Sequence, residues 1–183
     1  EEGTIYRNEW IGANNDVCFV MLGTNDRGDC TTELEFETYL TQFLNHVKIN
    51  SKHMIVMTAS PTLNDFDANG NKTPSLNLTM EQIDKVITKV CIDNNYPHIS
   101  FYREILKYSS DTQTPLKILL QSNGSSHPIN AGYSLMWNIL QQKLGFIRNT
   151  YEWDKVKIDS EKMRIINNSG SGILASTPIT SFE

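Results

Sequence analysis

The stretch DVCFVML at residues 16–22 decides the fold class that the sequence predicts. After its first residue it is an uninterrupted apolar run, and such a run is typical of a parallel strand that is covered on both faces. A polar turn, GTNDRG at residues 23–28, follows at once, and an amphipathic helix comes next. Strand, turn and helix in this order indicate an α/β fold.

The segments that follow repeat the alternation of helix and strand. Two capping boxes, Thr32 with Glu35 and Thr79 with Gln82, open predicted helices. We expect the two apolar runs to form adjacent parallel strands, because crossovers between such strands are right-handed and carry a helix. The predicted elements after the first strand are a helix at 33–49, a strand at 54–58 (MIVMT), a helix at 79–94, a strand at 99–102 and a helix at 130–144.

The chain length predicts about one domain. We place an α/β domain at residues 1–147 and a β-rich tail, or a linker to a further domain, at residues 148–183. The tail contains short alternating stretches at residues 155–158 and 163–166, followed by a turn rich in Asn, Gly and Ser.

Composition and charge exclude several classes of function. The chain has a net charge of -5 and a pI near 5.4. It therefore lacks the excess of basic residues that is expected of proteins that bind nucleic acids or membrane surfaces. No apolar run approaches the ~20 residues of a membrane span. Three cysteines cannot form a closed disulfide framework, and no Cys or His pair has zinc spacing. We therefore predict neither a metal nor a cofactor.

Two polar segments are candidates for carrying chemistry. GTND at residues 23–26 follows the first strand directly, and SHPINAGY at residues 126–133 runs into the last helix. In parallel α/β sheets, ligands bind beyond the carboxyl ends of the strands. An Asn25 amide there can donate to a developing oxyanion, and His127 can act as a general base.

Together these segments resemble two sequence blocks of the SGNH (GDSL-type) hydrolases, over roughly residues 14 to 147. The third block of that family matches Gly23-Thr24-Asn25-Asp26, and the fifth matches His127-Pro128 with Gly132-Tyr133. The resemblance implies a three-layer flavodoxin-like fold and a serine esterase that acts on acyl esters, often acetyl groups on glycans. It also implies that Asn25 donates to the oxyanion, that Gly23, Thr24 and Asp26 form the supporting loop, and that His127 activates the serine.

The chain departs from that family at the nucleophile. The family's first block, Gly-Asp-Ser, carries the serine, but no serine stands before Gly23 here. The family's Asp, three residues before the His, is replaced by Gly124. Either the serine block belongs to another segment of a larger protein, or the chain kept the fold and lost the chemistry. In the second case it is a non-catalytic glycan-binding or structural module, so enzymatic activity stays open.

The two motifs also have plainer interpretations. Asn25 and Asp26 can be a turn and a helix entry, and His127 can be a loop histidine. The α/β unit with its β-rich tail also resembles modules of bacteriophage tail-fibre and baseplate proteins, which implies an extracellular or virion-associated location. The expected partners are a glycan or acylated carbohydrate, within a larger polypeptide or a homo-oligomeric assembly.

Overall fold

A computed structural model describes residues 14–65, 76–121 and 126–145, together with the backbone of two strands at residues 156–159 and 164–167. These residues belong to two compact units. Of the described residues, 14–59 and 76–100 lie in the first unit, and the others lie in the second. The proposed boundary between residues 147 and 148 stays a prediction.

The first unit contains a parallel sheet. Its strands are β1 (Asn15–Leu22), β2 (Ser51–Thr58) and β3 (His98–Ser100), in the order β1-β2-β3. The register of β1 and β2 pairs Val20 with Val56 and Met21 with Met57. The two apolar runs are therefore adjacent parallel strands, which confirms that prediction and the α/β class.

Three helices complete the described part of the first unit: α1 (Asp26–Asp29), α2 (Glu33–Ile49) and α3 (Met80–Asp93). The Thr32 hydroxyl caps α2 by accepting from the Glu35 N–H at 3.1 Å. The capping box of Thr79 and Gln82 at the start of α3 is complete. Both long helices contact β2 and each other. They bury aliphatic side chains that recur at helical spacing along one face, among them Leu40, Leu44, Val47, Ile83, Ile87 and Val90.

The prediction that β1 is covered on both faces is wrong. Val20 is buried, but Val17, Phe19 and Met21 on the opposite face are each 47% exposed. The connections β1-α2-β2 and β2-α3-β3 run in the same direction across the sheet, and right-handed crossovers of that kind place both helices on one face. That face is the one that contains Val20.

The second unit contains α4 (Phe101–Thr112) and α5 (Asn130–Lys143), which contact each other. The strand predicted at residues 99–102 was too long, because β3 ends at Ser100 and a helix begins at the next residue. The aromatic and aliphatic residues there repeat with helical spacing, and the helix buries Phe101, Ile105 and Tyr108 on one face. That helical period extends beyond the short window in which the segment looked like a strand.

The backbone of the tail forms two short strands, β4 (Val156–Asp159) and β5 (Arg164–Asn167), paired antiparallel. They agree with the β-rich character predicted for the tail. Among the helices that the structure describes, none has the length and apolar character needed to cross a membrane.

Candidate active site

The turn after β1 forms the first half of the candidate site. Gly23 has a φ of 109°, a backbone conformation that strains residues with a side chain. A Cβ at this position would also lie 2.3 Å from Cγ2 of Ile83 on α3. The Gly23 N–H donates to Oδ2 of Asp26 at 3.1 Å and closes the turn. The family resemblance assigns both residues to the supporting loop of the site, and that role stays a prediction.

Asn25 occupies the N-cap position of α1, but its side chain makes no capping hydrogen bond. Its backbone carbonyl accepts from the N–H of Gly28 at 3.0 Å, whereas the residue as a whole is exposed. Asp26, not Asn25, therefore ties the turn. The Asn25 carboxamide stands at the carboxyl end of β1, the end at which ligands of parallel sheets bind.

A fully buried arginine anchors the loop from the other side. Arg27 is 0% exposed, and its Nε donates to the carbonyl of Leu78 at 3.0 Å. The Leu78 N–H donates back to the Arg27 carbonyl at 3.2 Å, and Nδ2 of Asn77 donates to the Gly28 carbonyl at 3.0 Å. Three hydrogen bonds thus attach α1 to residues 77–78. Sequence reasoning missed Arg27, because nothing local distinguishes a buried arginine from the exposed majority.

Cys30 is the thiol nearest to this loop in the sequence, and it is not suited to replace the missing serine. It is buried, and its N–H donates to the Asp26 carbonyl at 2.8 Å. Burial raises the pKa of the Cys30 thiol, and the carboxylates of Asp26, Glu35 and Asp29 raise it further. A nucleophilic cysteine needs the opposite shift, toward the thiolate.

His127 lies in the second unit, just before α5, and is exposed. The backbone around it is well anchored, because its carbonyl accepts from the N–H of Gln121 at 3.1 Å. The Ile129 N–H donates to the Leu119 carbonyl at 2.9 Å, and Leu120 forms an isolated bridge with Pro128. The segment that carries the imidazole is thus held in a defined place.

Gly132, the glycine of the second motif, has a packing role. A Cβ there would lie 2.2 Å from the carbonyl oxygen of Leu119 and 2.8 Å from the Cβ of Pro128. Only a glycine lets the start of α5 approach the backbone of Leu119 this closely.

The structure brings Gly23, Thr24, Asn25 and Asp26 together in one turn of the first unit, and it places His127 in the second unit. Joint action of Asn25 and His127 therefore stays a prediction. Gly124 lies outside the described residues. Within the described ranges, no group of three His, Cys, Asp or Glu side chains is arranged to hold a metal ion.

Comparison with known proteins shows which family and which solved structures the chain is similar to. The GDSL-like lipase/acylhydrolase family matches residues 3–135 of the 183. No curated protein matches the chain. Among solved structures, the chain is similar to a mutant acetyl-xylooligosaccharide esterase from Geobacillus, with a TM-score of 0.55 and 21% identity over 75% of this chain and 63% of that one.

A second solved structure, a catalytic mutant of an acetylxylan esterase from Geobacillus stearothermophilus, gives a TM-score of 0.52 and 20% identity over 75% of this chain and 61% of that one. A third structure, of a protein from Lactobacillus plantarum, gives a TM-score of 0.52 and 21% identity over 75% of this chain and 68% of that one. The two Geobacillus structures are mutants of one esterase, of which this chain spans less than two thirds. The similarity to that esterase and to the Lactobacillus protein shows a shared fold. These matches give no support to the phage-tail hypothesis, which stays untested. Because the family match covers most of the chain and the parallel sheet carries the motif of its third block, this protein belongs to the GDSL-like lipase/acylhydrolase family.

Proposed function

We propose that this chain supplies the oxyanion-binding and general-base parts of a serine esterase that removes acyl groups, acetyl in the first place, from glycans. The observation that carries the proposal is the exposed Asn25 carboxamide at the carboxyl end of β1, on a turn fixed by Gly23, Asp26 and Arg27. An amide donor on such a turn can stabilise the negative charge that develops on the carbonyl oxygen of the ester.

In the proposed reaction, a serine hydroxyl attacks the ester carbonyl while the His127 imidazole takes its proton. The Asn25 Nδ2 donates to the oxyanion of the tetrahedral intermediate. His127 then protonates the leaving sugar oxygen, which departs as a hydroxyl, and water hydrolyses the acyl-enzyme with the same base. No serine precedes Gly23 in these residues, and the proposal therefore takes the nucleophile from a segment outside them.

Two aromatic side chains support a carbohydrate substrate. Tyr133 and Trp137 lie one turn apart on α5, just after His127, and they are 38% and 49% exposed. Residues four apart lie on the same face of a helix. Exposed aromatic rings with a polar group suit the apolar faces of sugars. Acetylated xylan, the substrate class named for the solved esterases, is the first compound to test.

Acetate release from acetylated xylan tests the proposal. The chain alone should release no acetate above the rate of free imidazole. If a longer polypeptide places a Gly-Asp-Ser strand upstream of Glu1, that polypeptide should be active. Asn25→Ala in it should lower kcat by about 10²- to 10³-fold. His127→Ala should lower kcat further, because the base is lost.

Matched controls are Asn45→Ala on α2 and His98→Gln on β3, which should leave kcat within about twofold. Serine-dependent turnover by the 183 residues alone would show that the nucleophile lies elsewhere in them. Unchanged activity of Asn25→Ala in an active longer polypeptide would contradict the oxyanion role.

A second candidate function is a glycan-binding module without turnover, in an extracellular or virion-associated protein. The missing serine and the Gly124 substitution favour it. Saturable binding of acetylated xylan that depends on Trp137, with no acetate release by the longest natural form of the protein, would select it.

A further inference from the structure

A cavity of about 450 Å³ opens at the amino ends of the strands, opposite the end that carries Asn25. Residues of four neighbouring segments line it: Val17 on β1, Lys48 on the last turn of α2, Ser51 to Ile55 on β2, and Asn95 to Pro97 before β3. All of them belong to the first unit. Its volume lies in the range of about 300–1,000 Å³ that is usual for small-molecule sites.

The polar side chains of this cavity are mainly basic. Lys48, Lys52 and His53 line it, and no carboxylate does. The charge of Lys52 is offset by Asp16, whose Oδ1 lies 2.6 Å from Nζ of Lys52. Lys48 is the second lysine of the lining, and it supplies a positive charge in a chain whose net charge is -5. An ammonium group in a cavity without a lining carboxylate attracts an anion to this place.

Lys48 is held at the cavity wall. Its Nζ lies 5.0 Å from the centroid of the Tyr96 ring, in cation–π geometry. The Tyr96 hydroxyl in turn donates to Oδ1 of Asn45 at 3.1 Å, which fixes the ring. A cation that is already positioned loses less side-chain entropy when it binds an anion.

The Ser51 hydroxyl adds a donor. Its Oγ is buried and reaches no hydrogen-bond partner in the described part of the chain. A buried hydroxyl without a partner is unfavourable, and turning it toward a ligand would break no existing bond. The remaining wall is apolar, including Val17, which is 47% exposed.

From the basic rim, the positioned ammonium group and the apolar wall, we propose that this cavity binds an organic carboxylate with an apolar body. The carboxylate lies against Lys48 and Ser51, and the body lies along Val17 and Ile55. This site is independent of the proposed esterase function, since it lies at the opposite end of the sheet. Its ligand is a small organic acid, or an acidic sugar unit of a glycan that places the apolar face of its ring on this wall.

Titration of the ¹⁵N-labelled chain, followed by NMR, tests the proposal with sodium benzoate as the probe. Benzoate should shift the amide signals of residues 51–55 and 95–97 saturably, and neutral benzamide should not. Lys48→Met keeps the apolar stem and removes the charge, so it should weaken benzoate binding about tenfold or more. Lys85→Met removes one exposed charge from α3, outside the cavity, and should leave the affinity unchanged.

Sodium glucuronate separates the two ligand sources. Binding tighter than that of benzoate assigns the site to acidic sugars, and weaker binding assigns it to small apolar acids. Equal affinities of benzoate for Lys48→Met and for the unaltered chain would overturn the proposal. So would equal binding of benzamide, or shifts that never saturate. The NMR spectrum of each variant shows directly whether it is folded.

Discussion

β1 and β2 both contain an apolar run, and they differ in what covers them. DVCFVML and MIVMT are both apolar runs that predict buried strands. In the structure β2 lies between two strands and buries Met54, Val56 and Met57. β1 has one neighbouring strand among the described residues, and it leaves Val17, Phe19 and Met21 half exposed. An apolar run therefore shows that a strand needs cover, but it does not say which part of the chain provides it.

The rates at which two cysteines react should differ most between the buried helix α3 and the edge strand β1. Cys91 on α3 is fully buried, and burial raises its pKa to about 12. At pH 8 the reactive thiolate should then be roughly 10³-fold scarcer than in an ordinary cysteine with a pKa near 8.5. Cys18 on β1 is only half-buried. We expect a thiol reagent at pH 8 to label Cys18 long before Cys91, as followed by mass spectrometry.

All three cysteines should react together in denaturant, which is the control. Equal labelling rates of Cys18 and Cys91 in the native protein would mean that α3 opens as readily as the edge of the sheet.

Truncation of two paired methionines tests the same contrast by stability. Met21 and Met57 are neighbours in the β1–β2 register and project to the same side of the sheet. Met57 is 8% exposed and Met21 is 47% exposed. Met57→Ala should lower the free energy of unfolding by about 2–5 kcal/mol, the usual cost of emptying a core site. Met21→Ala should cost about 1 kcal/mol or less, because its side chain has less cover to lose.

Chemical denaturation of the two variants measures this difference. Equal losses would show that the open face of β1 is covered in solution, for example by another copy of the chain.

Two valines sharpen the contrast within β1 itself. Val20 is buried against the helices, whereas Val17 is on the open face. Val20→Ala should cost about 1.5 kcal/mol for the two methyl groups removed. Val17→Ala should stay within about 0.5 kcal/mol. Both changes lose the same strand propensity, so the difference in unfolding free energy reports burial alone. Identical values would contradict the assignment of the two faces.

The ion pair between the two strands should have the smallest effect. Lys52 and Asp16 join β2 to β1 at 2.6 Å, and both side chains are mostly exposed. Asp16→Asn should therefore lower stability by less than about 1 kcal/mol, and the effect should fade as salt is added. A loss that persists in 1 M salt would show that the pair is shielded from solvent.

The sequence by itself determined the alternation of β1, α2, β2, α3 and β3, the parallel pairing of β1 and β2 and the helix starts at Thr32 and Thr79. These features follow from local periodicity and from capping over a few residues. It also identified Gly23, Asn25 and Asp26 as one turn, since they are consecutive after a strand. Only the structure shows that the Asn25 side chain makes no capping hydrogen bond, and that the Asp26 carboxylate closes the turn by accepting from the Gly23 N–H.

Tertiary structure alone decided which face of β1 is covered, that Arg27 is buried against residues 77–78, and that Gly132 is required by the backbone of Leu119. The structure also showed that the segment after Ser100 is a helix, although its first residues suit a strand. Each of these depends on contacts or periodicity beyond a short window of sequence. Burial is a property of the neighbours that the fold brings to a residue, and those neighbours are often distant in the chain.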